Sequence, residues 1–182
     1  CPLPSRNRLD KQLLATLPFK PTGAQKRVVA DIAADLARPH PMLRLVQGDV
    51  GSGKTLVAAL AACQVLQAGY QVALMAPTEL LAEQHRINFT GWLSPFGIQV
   101  GWLSGTQKGK ARQAAEQAVA DGSAQMVIGT HALFQDSVQF GRLGLVIIDE
   151  QHRFGVDQRL ALREKGISGM TPHQLVMTAT PI

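Results

Sequence analysis

The sequence predicts an α/β fold: a doubly wound, mainly parallel sheet flanked by helices, with a short N-terminal helical extension. Three observations predict it. Six short apolar runs alternate with helix-like segments from residue 43 onward, the pattern of a doubly wound domain. The runs are apolar at consecutive positions, as strands covered on both faces must be. The chain has 182 residues, 46% hydrophobic and 17% charged, enough for one sizeable core without staples.

The elements follow in order. Residues 9–17 read as a short helix with Leu9, Leu13, Leu14 and Leu17 on one stripe, ended by Pro18. Residues 22–37 read as a second helix, before a break at Pro39 and Pro41. Strands are expected at 43–47, 71–76, 99–103, 125–129, 145–149 and 174–178, and helices at 55–67, 79–93, 110–120 and, less sharply patterned, 157–165. Gly69 is placed to end the first of these helices.

Charge divides the chain. Residues 1–30 carry six bases and one acid, whereas residues 31–182 carry twelve of each. The basicity therefore belongs to an N-terminal linker or helix, residues 1–20, and its edge, and the domain body spans 21–182. A basic arm invites a nucleic-acid reading, but a solvated linker helix explains it as well. No apolar run approaches the ~18 residues of a membrane span. Two cysteines, Cys1 and Cys63, make neither a disulfide framework nor a four-ligand zinc site. The start lacks a signal peptide's apolar core and an initiator Met, and the chain stops just after Thr180. The missing initiator Met predicts a fragment cut from something longer.

The strongest chemical signal is Gly48-Asp49-Val50-Gly51-Ser52-Gly53-Lys54-Thr55, a full G-x-x-x-x-G-K-[ST] phosphate loop between a strand and a helix. Its glycines let backbone N–H groups wrap a phosphate. The helix start adds its positive end. Lys54 supplies a charge to the β- and γ-phosphates, and the Thr55 hydroxyl can ligate Mg²⁺. A second signal is an apolar strand ending in Asp149 and Glu150. Two acids at a buried strand's end are costly unless a cation or water meets them. Asp149 is the natural Mg²⁺ partner through water, and Glu150 the group to orient or deprotonate an attacking water. The pattern points to a RecA-like P-loop NTPase lobe using ATP and Mg²⁺.

Asp149-Glu150-Gln151-His152 forms a DExH box. Together with the phosphate loop, the run from Ala76 to Ala82, Gly129-Thr130-His131 and Thr178-Ala179-Thr180, it resembles the first motor lobe of a superfamily 2 helicase over residues 22–182. The strings RLVQGDVGSGKT, MAPTELLAEQH, IGTHALF and IIDEQHRFGV resemble bacterial helicases that remodel branched DNA, such as stalled forks and Holliday junctions. Transcription-repair coupling factors have a similar motor. There a second acid is expected where this chain has Gln151, and Gln where it has His152, so the spelling favours the branched-DNA group.

The resemblance implies further roles. Pro77, Thr78 and Glu79 would meet the DNA backbone at a helix start, although Thr78 or Glu79 can equally cap that helix. Ser104, Gly105, Thr130 and His131 fill later DNA-contact positions, with Thr130 also readable as an N-cap. Lys108, Lys110 and Arg112 could meet phosphates or form a solvated face. Gln25 matches the adenine-reading position, where an amide donates and accepts together, yet Thr22 and Gln25 also spell a capping box. Phe19 could pack on the base or in the core. His152 would couple the hydrolysis state to Thr178, Ala179 and Thr180. Trp92, Phe96 and Trp102 read better as core than as base-stacking platforms, and Cys63 as a buried small hydrophobe.

The implied function is the first lobe of an ATP-dependent DNA translocase, binding Mg-ATP and one face of branched DNA with little base specificity. Its implied partners are DNA, a second motor lobe and a DNA-reading wedge domain of the same chain, and a single-stranded-DNA-binding protein. A second lobe would supply transition-state arginines, so this segment alone should hydrolyse ATP poorly. The expected location is the bacterial cytoplasm, at the nucleoid. Two other readings stay open: the lobe of a transcription-repair coupling motor, and a nucleotide-dependent docking module without productive hydrolysis.

Overall fold

The computed structural model describes residues 43–47, 54–106, 108–134, 138–150 and 173–178, and residues 27, 30–32 and 34 of the stretch before them. The predicted helix at 9–17, the arm boundary at residue 20 and the predicted helix at 157–165 lie outside the described residues. Within the predicted helix at 22–37, the described residues are helical, and Ile32 is buried.

Six strands form one sheet. They are β1 (Leu43–Gln47), β2 (Gln71–Met75), β3 (Val100–Leu103), β4 (Met126–Gly129), β5 (Leu143–Glu150) and β6 (His173–Thr178). Their order is β1-β6-β5-β2-β4-β3, and every pairing is parallel. Three helices connect them: α1 (Lys54–Gln67), α2 (Glu79–Leu93) and α3 (Gly109–Ala120). Short 3₁₀ turns follow α2 at Ser94–Phe96 and β4 at His131–Phe134.

The consecutive apolar residues of β2, β5 and β6 serve two cores. Val72, Leu74, Leu145, Ile147, Leu175 and Met177 face one side with α1 and with Phe89 and Leu93 of α2. Their neighbours Ala73, Met75, Val146, Ile148 and Val176 face the other with Val119 of α3, Leu133 and Phe140. This is the two-residue alternation of a sheet buried on both faces. Helix α1 has no solvated face over residues 57–66, where even Gln64 is buried. Its alanines let it lie close to the sheet while other apolar groups, Ile32 among them, join the same cluster. Cys63 is fully buried in that helix, as its apolar neighbours predict. Gly69 ends α1 with φ 91°, its amide bonding the Leu66 carbonyl at 3.0 Å.

Trp92, Phe96 and Trp102 pack against the first core. Phe89 meets Trp92 edge to face at 5.4 Å between ring centres, and the Arg86 guanidinium lies 5.6 Å from the Trp102 ring centre. Packing, not base stacking, accounts for these three aromatics.

At the N-terminal edge of the sheet one polar residue ties three segments together. Buried Gln71 donates from Nε2 to the carbonyls of Val119 and Ala124, both at 2.9 Å. Its Oε1 accepts from the Arg142 amide at 2.7 Å. Beside it the β2–β5 register shifts between Gln71 and Val72, at Gly144, where a Cβ would stand 2.8 Å from that of Tyr70. Replacing Gln71 by Leu would take this partner from the Ala124 carbonyl and the Arg142 amide, while the Val119 carbonyl keeps its bond from the Gly141 amide at 3.3 Å. The expected loss is about 3 kcal/mol of stability, read from denaturant unfolding, and a loss within experimental error would contradict this assignment.

Candidate functional site

Because all six strands run the same way, all six following loops leave from one edge. Ligands of open parallel sheets bind at that edge. The motif residues are distributed along it in order. The phosphate loop follows β1, Thr178 ends β6, and Asp149 and Glu150 end β5. Pro77 to Glu79 follow β2, Thr130 and His131 follow β4, and Ser104 and Gly105 follow β3. The register sets Gln47 beside Thr178 and Thr178 beside Glu150. Three adjacent strands, β1, β6 and β5, thus carry the nucleotide motifs. The other three, β2, β4 and β3, carry the positions expected to meet DNA.

On the nucleotide side, Lys54 and Thr55 open α1 and, with Glu150 and Thr178, are placed by their backbone. Gly48, Asp49, Val50, Gly51, Ser52, Gly53, Gln25, His152, Ala179 and Thr180 lie outside the described residues, as does Phe19. The choice between adenine reading and capping at Gln25 therefore stands as the sequence leaves it. Asp149 is buried, with 8% exposure, at the end of β5. Its Oδ2 lies 2.6 Å from Nε2 of His85. Among the described residues no cluster of three His, Cys, Asp or Glu side chains could hold a metal by itself.

On the other side, Thr78 caps α2: it is extended, and its Oγ1 accepts from the Leu81 amide at 3.2 Å. The Thr78 carbonyl accepts from the Ala82 amide at 3.0 Å. The capping reading is thus realised, while Thr78, Glu79 and Leu80 all stay exposed at the helix start. Ser104 is fully buried. Its Oγ is 2.9 Å from the Thr106 hydroxyl and accepts from the Thr106 amide at 3.2 Å. Ser104 therefore shapes the turn, and its exposed neighbours Gly105 and Thr106 form the turn's surface. Arg112 donates to the Ser104 carbonyl at 2.9 Å and to Glu116 at 3.1 Å. It is engaged within the protein, unlike the exposed Lys108 and Lys110. Thr130 is nearly buried, and its carbonyl accepts from the Leu133 amide at 3.1 Å, starting the turn that holds His131.

Gly129 explains the spacing there. A Cβ on it would come within 2.0 Å of the Leu103 carbonyl oxygen, the same oxygen that accepts from the Thr130 amide at 3.2 Å. Only glycine lets β3 and β4 close at this point.

His85 was not singled out by its residue type or spacing. The signal was present: Ala82, His85, Phe89 and Leu93 are the buried stripe of α2. A histidine on a helix's apolar stripe needs a partner, and here the partner is the DExH aspartate.

The model of the family described as DEAD/DEAH box helicase matches residues 22–182. The chain belongs to the DEAD/DEAH box helicase family. Membership brings nucleotide binding with it. Among this helicase lobe's relatives is the ATP-dependent DNA helicase RecG of Escherichia coli K12, 68% identical over all 182 residues, which make up 26% of that protein. RecG of Haemophilus influenzae is 66% identical over the same span, again 26% of its length. The chain thus spans about a quarter of the relatives it matches. A structure of RecG bound to a three-way DNA junction superposes with a TM-score of 0.88 at 43% identity, covering all of this chain and 24% of that one. A yeast Dbp5 structure, at 18% identity and a TM-score of 0.70 over 96% of this chain and 47% of its own, shares the fold. No helix among the described residues is long and apolar enough to cross a membrane.

The capped start of α2 gives a direct check. Thr78→Ala should cost about 1 kcal/mol, and Thr78→Ser only a few tenths, as for other helix caps. Urea unfolding of both variants reads this, and equal losses would remove the capping hydroxyl from the account.

Proposed function

We propose that this chain is the first motor lobe of an ATP-dependent DNA helicase or translocase that remodels branched DNA in recombination and repair. The observation that carries the reading is the division of one sheet edge. Nucleotide motifs follow β1, β6 and β5, and the expected DNA-facing loops follow β2, β4 and β3. The match of this whole segment to about a quarter of RecG, a protein solved in complex with a three-way DNA junction, supports the substrate class.

In this reading Gly48 to Thr55 hold the phosphates, with Lys54 on the β- and γ-phosphates and Gln25 at the adenine. Thr55 and Asp149 would hold Mg²⁺, which neutralises charge on the transferred phosphoryl group. Among the described residues only Oδ2 of Asp149 is hydrogen-bonded, and Oδ1 is the oxygen for a metal-bound water. Glu150 orients the attacking water. His152 passes the hydrolysis state to Thr178, Ala179 and Thr180. The DNA backbone lies against the exposed start of α2 at Pro77, Thr78 and Glu79, against Gly105 in the turn that Ser104 holds, and against Thr130 and His131. Such contacts position DNA without reading sequence. A second lobe and a junction-reading domain complete the motor, and closure around ATP shifts the population between grips on DNA. A single-stranded-DNA-binding protein is a further partner, and the bacterial cytoplasm, at the nucleoid, the place of work. The arm of residues 1–20 links the lobe to the junction-reading part.

The test is ATP hydrolysis by the complete natural chain carrying this segment, with no DNA, linear duplex or a four-way junction. The junction should stimulate most, and Glu150→Gln should lower the rate by about 10²–10⁴-fold. Equal stimulation by linear duplex would remove the branched-DNA task, and no stimulation by any DNA would overturn the motor reading.

A further inference from the structure

The boundary between the two halves of the sheet edge falls between β5 and β2. Among the described residues, the side-chain hydrogen bond between His85 and Asp149 crosses it. His85 sits two turns into α2, the helix that starts at the Thr78 surface after β2. It reaches the end of β5 with Nε2 2.6 Å from Asp149 Oδ2. Both side chains are about nine-tenths buried, at 9% and 11% exposure. The ring is held by its own helix, with the Phe89 ring centre 6.4 Å away. Its other nitrogen, Nδ1, is buried without a hydrogen-bond partner among the described residues.

The geometry points to His85 as the positioning residue of Asp149, fixing the carboxylate that serves the nucleotide-borne Mg²⁺. This inference rests on the nucleotide-site reading above and deepens it. An ionised carboxylate only accepts, so the nitrogen facing it carries the proton. The bond occupies Oδ2 and restricts rotation of the carboxylate, which leaves Oδ1 as the oxygen not engaged by His85. A carboxylate that binds metal through water has little else to orient it, and outer hydrogen bonds of this kind tune metal sites strongly. His85 also makes α2 a rigid connection from the Thr78 surface to Asp149.

The test uses the complete natural chain and a fluorescent, non-hydrolysable ATP analogue titrated with Mg²⁺, together with Mn²⁺ binding read by electron paramagnetic resonance. His85→Phe keeps an aromatic ring but removes the donor, and His85→Gln keeps a donor at similar reach. The Phe variant should raise the Mg²⁺ needed for half-maximal nucleotide binding by about tenfold or more and weaken Mn²⁺ binding alike. The Gln variant should recover most of both. Should His85→Phe fail to fold, His85→Gln and His85→Ala are compared at matched thermal stability. Unchanged metal dependence in a folded variant without the donor would overturn the assignment, as would an equal loss in His85→Gln. Lys54→Ala separates this from the parent reading. It should abolish nucleotide binding whatever happens at His85, and binding that survives it would remove the site itself.

Discussion

Everything on the functional edge depends on one constraint: all six strands are parallel. In such a sheet each strand's carboxyl end faces the same way, so each motif that follows a strand is delivered to a common edge. The strand order then decides which motifs become neighbours. β1 leads through α1 to β2, three places away across the sheet, and the chain later returns to place β5 and β6 between them. Gln47, at the end of the strand that precedes the phosphate loop, Thr178 and Glu150 become neighbours although more than a hundred residues separate the first from the others. Sheet topology, more than any single loop, assembles the nucleotide half.

That arrangement needs both faces of the sheet to be dry. The consecutive apolar residues of β2, β5 and β6 feed two cores, and the cost of extended backbone in a buried layer is met by the ladder's hydrogen bonds. Two contacts between buried polar side chains and their partners stand out inside this frame. Gln71 satisfies three backbone groups at the far edge. Asp149 and His85 satisfy each other at the functional edge. The first is a stitch that holds the strand ends together. The second joins the half of the edge assigned to nucleotide to the half assigned to DNA.

Much of this was legible in the residues. The strand at 43–47 and the helix at 79–93 have the predicted bounds, because sharp changes in polarity bracket both. β5 starts two residues earlier than its apolar run, since Gly144 interrupts the pattern where the register shifts. The phosphate loop and the DExH acids stand out in the sequence because their chemistry demands rare residue types at fixed spacing, and the structure adds the strand end that carries Asp149 and Glu150. The His85 contact was not legible, because it joins residues 64 apart through topology that periodicity alone does not specify. Ser104 shows the converse. Its place in the chain matched a DNA-contact position, but its hydroxyl is spent in a turn with Thr106. Capping at Thr78 and packing at Trp92 and Trp102 also went to the plainer readings, as local hydrogen bonds and apolar area usually decide such cases.

The central claim is the division of one edge between two ligands. Amide hydrogen exchange of the complete chain, with a non-hydrolysable ATP analogue and with a DNA junction in turn, tests it most directly. The account predicts that nucleotide protects the segments around 48–55 and 149–152, and that DNA protects those around 77–81, 104–106 and 130–134. Protection of the same loops by both ligands, or none at 77–81 with DNA bound, would contradict it.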